Sequence, residues 1–323
     1  MTRYIIRRLV LAIVVVLLVT VVTFILLHLL PGGPARGVLG VKATAQQIAD
    51  FNKKEGFDQS LPVQYWDYLV RLLHGDLGTS YSMNASVSTL LGQRLPRTLL
   101  LSATSTLLAI ILALPLGVWQ AVRKGKPVDK ISTGLSFVFY ATPVFFLSLI
   151  LIILFAQLLP WFPAQAAQGD TLGALISQPA SLVLPIVAGA GGVLAAFSRY
   201  MRSSTLDNLA EDYVRTARAK GTRERTIIWR HVWPNSLTSI VALFGYYVPT
   251  IFAGALVIET MFNFPGIGLL FWTAAENADF PVLLGVVLVI AIATVVGSLV
   301  ADLAQLLIDP RARVPARTVG ATA

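Results

Sequence analysis

Cysteine is absent from the 323 residues, so no disulfide, thiol nucleophile or Cys-ligated metal centre belongs to this chain, and its redox compartment leaves no mark on it. Charge is scarce too. Asp, Glu, Lys and Arg make up 13% of the residues against 56% hydrophobic ones, too little polar surface to coat a water-soluble globule of this length. Lipid must be the solvent for much of the molecule. Histidine occurs at His28, His74 and His231 only, on different segments and without H-E-x-x-H spacing, so each reads as an interface or surface residue and no metal site is expected. No G-x-x-x-x-G-K-[ST] loop is present, and Gly125-Lys126 has neither the upstream glycine nor the following hydroxyl. The chain therefore has no phosphate cradle of its own, no assembled catalytic set and no expected cofactor.

What is present is apolar length. A spanning helix needs ~20 apolar residues. Runs of that quality lie at Leu9 to Leu30, Thr98 to Val122, Ile131 to Leu159, Leu182 to Met201, Leu237 to Met261 and Val282 to Ile308. They predict an all-α integral membrane protein of about six transmembrane helices. The runs do not alternate in polarity, which argues against an outer-membrane barrel. The first is longer than a signal-peptide core of ~7–15 residues and is followed by Pro31-Gly-Gly-Pro34 instead of a small-residue cleavage site, so it reads as a retained anchor.

The net charge of +9 does not point to nucleic acid, because the basic residues cluster beside the apolar runs. Arg3, Arg7 and Arg8, the loop with Arg123, Lys124, Lys126 and Lys130, the loop from Arg202 to Arg230, and the tail with Arg311, Arg313 and Arg317 fall on one side, expected to be cytoplasmic. The opposite side receives Pro160 to Ser181, without Lys or Arg, and the loop with Glu276 and Asp279. The expected organisation is a cytoplasmic N-terminus and first helix over 1–30, a small external cap over 31–97, a five-helix core over 98–308 with a cytoplasmic loop at 203–236, and a tail over 309–323. Arg199 and Asp302 lie near the cytoplasmic face, where a structural salt bridge is favoured over a proton relay.

Two polar stretches could carry function. The first is the loop Asp212-Tyr-Val-Arg-Thr-Ala-Arg-Ala-Lys-Gly221 and onward to Pro234-Asn235. Val214 to Lys220 has helix-forming composition, Gly221 suits the position after a helix end, and Thr222 is placed to cap the next helix. Small Ala217, Ala219 and Gly221 would let another protein's backbone approach, beside the cations Arg215, Arg218, Lys220, Arg223, Arg225 and Arg230. The alternative is a basic amphipathic loop lying on anionic lipid. The second stretch is Glu259 with Phe262-Asn-Phe-Pro265-Gly266-Ile-Gly268, between the fifth and sixth runs. Two glycines after a proline do not favour a regular helix, and irregular backbone at membrane depth must be buried in protein or face a watery cavity. A gate is expected there, packed against a partner subunit, with Glu259 bonding freed backbone N–H groups and Phe262 plugging a pathway; an ordinary helix-end turn is the alternative.

The first stretch resembles the cytoplasmic loop shared by membrane subunits of binding-protein-dependent ABC importers, whose pattern is E-A-A, three residues, Gly, nine residues, Ile-x-Leu-Pro. With Gly221 as the glycine, the spacing reaches Pro234, while Arg215, Thr216, His231 and Trp233 hold the Glu, first Ala, Ile and Leu positions. The fuller form, Asp-Tyr-Val-Arg-Thr-Ala-Arg-Ala-Lys-Gly with Arg230-His231-Val232 and Asn235, is similar to the dipeptide/oligopeptide branch. So are Tyr4 to Arg8, Leu30-Pro31-Gly32, Gly75-Asp76-Leu77-Gly78, Glu259 to Gly268 and Asp309-Pro310-Arg311. The resemblance implies a type I ABC importer permease fold in a bacterial inner membrane, both termini cytoplasmic. It implies as partners a homologous second permease subunit, two ATPase subunits holding ATP and Mg, and an external substrate-binding protein. Tyr213, Arg215, Thr216, Ala217, Arg218, Ala219, Lys220, Gly221, His231, Pro234 and Asn235 would then form the ATPase-coupling element. The cargo implied is a short peptide, with nickel or glutathione carried by similar relatives. A secondary transporter or channel would need charged or discontinuous helices at the midplane, and an intramembrane enzyme a set of polar residues at one depth; neither is evident.

Overall fold

The computed structural model describes residues 2–29, 35, 38–40, 42–169 and 171–308; side chains of 2–5, 242, 245, 246, 248–253 and 301–308 are outside the description. The sequence features at Pro31 to Pro34, Asp170 and 309–323, and the side chain of Asp302, therefore lie outside the described parts. Among the described residues the chain is helical, with one isolated bridge between Thr79 and Ser86 and no strand.

The first helix, α1 (Thr2–His28), turns most of its apolar side chains outward, with Ile13 60% exposed and Leu18 57%. Such a surface needs lipid or another apolar protein face to cover it. Its buried face, with Thr20, Phe24 and Leu27, meets the cap and the last helix. The cap holds α2 (Ala45–Glu55), started by a reciprocal Thr44–Gln47 capping box and stopped by Gly56 in the left-handed region, and α3 (Leu61–Leu73). His28 joins α1 to the cap through a 2.9 Å contact of Nε2 with Gln64 Oε1.

Next come α4 (Val87–Val122), α5 (Pro127–Ala141), α6 (Val144–Ile152, continued by a π-helical stretch to Leu158), the short α7 (Leu172–Ile176) and α8 (Ala180–Leu209). The loop helices are α9 (Asp212–Ala219) and α10 (Glu224–Thr226), and the chain closes with α11 (Trp233–Met261), α12 (Ile267–Glu276) and α13 (Phe280–Ile308). Four helices are long and apolar enough to cross a membrane, namely Ile6–His28, Val87–Val122, Ala180–Leu209 and Phe280–Val300, and the bent α5–α6 pair brings the number to five among the described residues. The run expected at Leu237 to Met261 lies on the 29-residue α11, whose side chains are described only in part.

Two expectations need correction. The run Ile131 to Leu159 is not one straight helix: α5 and α6 meet at 104° around Thr142-Pro143. Proline has no N–H to continue the ladder, and it forces the residue before it out of the helical region; Thr142 is extended at ψ 122°. The pair still connects the two ends of the bundle. Asp129 at its start takes two bonds from Arg202 near the end of α8, at 2.8 and 3.0 Å, while Ala166 after its end donates to the Phe262 carbonyl at 2.8 Å. The second correction is at α4, which begins at Val87 rather than Thr98, so a helix of 36 residues reaches well into the segment assigned to the cap.

The cap is locked down by Asp279, expected as a loop charge and found fully buried. Its Oδ2 accepts from Ser80 Oγ at 2.5 Å, Ser82 Oγ at 2.7 Å and Ser82 N at 3.0 Å. Arg199 lies with its guanidinium carbon 5.0 Å from the centre of the Tyr140 ring, a cation–π contact.

The bundle is assembled around α8, which packs on α4, α5, α6 and α11. Its approach to α4 is close enough that a Cβ on Gly117 would stand 2.6 Å from the Ser198 carbonyl oxygen and 2.7 Å from Met201 Cβ. Close backbone approach is what holds helices together when lipid competes for their apolar sides. Gly117→Ala should therefore cost about 1–3 kcal/mol by overpacking. Gly134→Ala on α5 faces open space and should be neutral or slightly stabilising. Thermal unfolding of the two variants in detergent checks the contrast.

Candidate coupling loop and capped outer turn

At one end of the bundle the chain between α8 and α11 folds on itself. Helix α9 ends as its sequence dictates: Gly221 sits at φ +74°, its N–H donates to the Arg218 carbonyl at 2.9 Å, and Thr222 N–H donates to the Ala217 carbonyl at 3.1 Å. These are the two bonds of a Schellman stop. Thr222 does not cap the next helix; Arg223 occupies that position and makes no side-chain cap bond. The two short helices are instead joined by Arg218, whose Nε and Nη2 donate to Glu224 at 2.6 and 3.4 Å.

Beneath them lies a separate small core of Val214, Ile227 and Val232, each fully buried, with Tyr213 and Ala217 packed on its edge. Tyr213 also donates to Asn208 Oδ1 at 2.9 Å, fixing α9 to the end of α8. The π-helical stretch Ile227–Val232 leads into Pro234, which lacks the N–H an α-helical turn would use. Asn235 donates to the His231 carbonyl at 2.9 Å. The candidate residues divide accordingly. Arg215, Thr216, Ala219, Lys220, Gly221, His231, Pro234 and Asn235 are exposed, with Arg218 exposed but tied to Glu224, whereas Tyr213 and Ala217 are half-buried in the loop's own core.

At the other end, Glu259, Phe262, Pro265, Gly266 and Gly268 come together with two residues that sequence reasoning did not single out. Helix α12 starts inside the bundle, where its first N–H groups have no water. Thr98 on α4 accepts from Ile267 N–H at 2.8 Å and donates to Glu259 Oε1 at 2.6 Å. Glu259 Oε2 accepts from Gly268 N–H at 2.5 Å and Leu269 N–H at 3.2 Å. The first turn of α12 is thus capped from two other helices, in the manner of an N-cap but across the fold. Arg97, 2% exposed, adds a 3.3 Å bond from Nη1 to the Pro265 carbonyl.

The glycines serve this arrangement by size rather than by backbone freedom. Gly268 lies within α12, and Gly266 is in ordinary extended conformation. A Cβ on Gly266 would fall into the Glu259 carboxyl group, and one on Gly268 would collide with the Leu256 backbone. The left-handed residue is Asn263, at φ +47°. The turn is buried within its own chain, by α4 and α11. Phe262 is fully buried in the cluster with Leu101, Leu147 and Leu184. The signal for Thr98 and Arg97 was weak, since nothing local in sequence links them to a turn more than 150 residues away.

Among the described residues no group of three or more His, Asp or Glu side chains is placed to hold a metal. His28 is an interface residue, His74 bonds its own helix through Val70, and His231 is exposed.

Comparison with known proteins agrees with this architecture. The family described as binding-protein-dependent transport system inner membrane component matches residues 113–314, and the N-terminal family of the same membrane components matches residues 1–102. The oligopeptide transport system permease protein AppB of Bacillus subtilis is 36% identical over 313 residues, covering 96% of this chain and 99% of that protein. The glutathione transport system permease protein GsiC of Salmonella choleraesuis is 34% identical over 313 residues, covering 97% and 99%. A multi-pass helical chain with this loop, matched from end to end by such relatives, belongs to the family of inner membrane components of binding-protein-dependent transport systems.

Proposed function

We propose that this chain is one membrane-spanning subunit of an ATP-driven importer of short peptides or peptide-like cargo. It pairs with a homologous second permease subunit, receives cargo from an external binding protein, and is driven by two ATPase subunits that hold ATP and Mg. The cap faces outward, and both termini and the loop at α9 lie in the cytoplasm, a reading supported by the clustering of Lys and Arg in the short connections. The relatives' peptide and glutathione cargoes support the substrate class.

The observation that carries the reading is the construction of the α9–α10 loop. A surface meant to lie on lipid would present bulky apolar residues. The turn between α9 and α10 presents Ala219, Gly221 and a fringe of cations above an independent core, with Trp229 the one bulky apolar side chain exposed beside it, a rigid knob suited to a protein cleft. Rigidity matters, because closure of the ATPase pair does work on the membrane helices only through an element that does not yield. The knob continues directly into α11, and 29 residues at 1.5 Å each carry a displacement about 43 Å, to Glu259 and the capped turn. Movement of α11 relative to α4 must stretch the Thr98–Glu259 contact, so the far end of the pathway answers to the loop.

Ala219 is the cleanest probe of docking, being exposed and outside the loop core. Ala219→Glu should lower uptake at least about tenfold while leaving expression normal and ATP hydrolysis in place, since an unpaired carboxylate in a close interface costs upward of about 2 kcal/mol. Uptake at the parental rate would return the loop to the lipid surface.

Glu259→Gln tests the turn. It keeps the shape but sets an amide NH₂ or a weaker acceptor against N–H groups that have no other partner, at a cost of about 1–3 kcal/mol. The assembled variant should show raised substrate-independent ATPase activity or passive leak; parental leak and basal ATPase in a fully assembled variant would reduce the turn to a structural cap. Phe262→Ala is less informative, because emptying a fully buried aromatic site costs about 3–5 kcal/mol whatever its role.

A further inference from the structure

The cap helix α3 is apolar around more of its circumference than its packing on this chain uses. One side rests on α1, where the Phe24 ring centre lies 5.4 Å from that of Tyr65 and 6.3 Å from that of the buried Tyr68. At 3.6 residues per turn, Val63, Trp66, Val70 and Leu73 fall together on the opposite side. All four are exposed, Trp66 by 65% and Leu73 by 86%. Gln64, Asp67 and Arg71 occupy the narrow polar arc that remains.

The depth of α3 is set by α1. Thr20 donates its hydroxyl to the Leu17 carbonyl at 2.9 Å and accepts from the Tyr65 hydroxyl at 3.0 Å, while Gln64 meets His28 at the end of the same helix. Thr20 stands about 12 Å before His28 along α1, at 1.5 Å per residue. The apolar span Ile6–His28 has 23 residues, about 35 Å of helix against a hydrocarbon core of about 30 Å, so Thr20 lies well inside that core and His28 near its edge. A helix resting on α1 between these two residues stands at the level of the cap-side lipid leaflet rather than in bulk water. Over the same length α1 itself turns Val22, Ile25 and Leu26 outward.

The chemistry of the stripe chooses what covers it. The indole N–H of Trp66 is its one polar side-chain group. A soluble protein that docks and releases would leave the four side chains in water between visits, whereas lipid covers them throughout. A wide apolar arc carrying a tryptophan, beneath a narrow polar one, is the pattern of a helix lying in the membrane interface. Asp67 and Arg71 balance each other, so apolar contact rather than attraction to anionic headgroups holds the helix there. We propose that α3 is an interfacial helix, sunk into the cap-side lipid leaflet by Val63, Trp66, Val70 and Leu73, and that it ties the cap to the membrane surface. The inference goes beyond the transport reading and needs only that α1 spans the bilayer.

The absence of cysteine makes the test direct. Single variants Val70→Cys, Leu73→Cys, Asp67→Cys and Arg71→Cys of the full chain each replace an exposed residue, so the fold is retained while a nitroxide is attached. In nanodiscs of zwitterionic phosphatidylcholine, collision of each label with oxygen, which concentrates among acyl chains, is compared with collision with a water-soluble nickel chelate. Labels at Val70 and Leu73 should collide several-fold more with oxygen than with nickel, and labels at Asp67 and Arg71 the reverse. Nickel-accessible labels at Val70 and Leu73 would put the stripe in water. Labels there shielded from both reagents would give it to a protein neighbour, a second copy of this chain or another subunit. Either result overturns the proposal, and neither depends on whether the assembled complex imports peptide.

Discussion

A helix that begins inside a membrane protein leaves its first N–H groups without water, and this chain meets the problem at α12 by bringing two side chains from elsewhere. Thr98 takes the first amide and Glu259 the next two, and the two residues bond each other. Much of the cap-end geometry follows. Helices α4, α11 and α12 are fixed to one another at this point, Gly266 and Gly268 are small because the carboxyl group and the Leu256 backbone occupy the space, and Phe262 and Phe264 fill the core beside them. Uncapped, the turn would expose several unsatisfied amides at a cost that few membrane proteins carry.

The opposite end solves a different problem with local means. The α9–α10 loop is short and polar, yet it holds its shape through a Schellman stop, the Arg218–Glu224 bond and a three-residue core. Bidentate pairing of Asp129 with Arg202 secures the neighbouring end of α8 to α5. Both ends of α11 are thereby anchored, one to the knob and one to the capped turn. A helix so held is suited to pass on a push, the mechanical property that the proposed coupling to an external ATPase needs.

Most of this was legible in the sequence where one property decides the outcome. Apolar runs marked the membrane helices because in lipid only a helix satisfies the backbone within a single segment, and Gly221 marked the end of α9 because a left-handed residue was needed there. The bend at Thr142-Pro143 was also written in the sequence, in the restriction proline places on its predecessor, but the surrounding apolar run concealed it. The early start of α4 was hidden for the converse reason: Val87 to Arg97 includes Ser88, Gln93, Arg94 and Arg97, so apolar length did not register it. The partners of the turn were beyond reach. Thr98 and Asp279 are unremarkable as letters and acquire their roles only when distant segments meet, at Glu259 in one case and at Ser80 and Ser82 in the other.

The central claim is that the work of transport enters through the α9–α10 knob from ATP hydrolysed on other chains. Vesicles reconstituted with this chain, its second permease subunit and the two ATPase subunits, with the binding protein and a labelled short peptide on the cap side, measure this directly. Accumulation of the peptide should require ATP and Mg on the side of the knob and should be indifferent to proton or sodium gradients. Accumulation driven by an ion gradient in the absence of ATP would contradict the account.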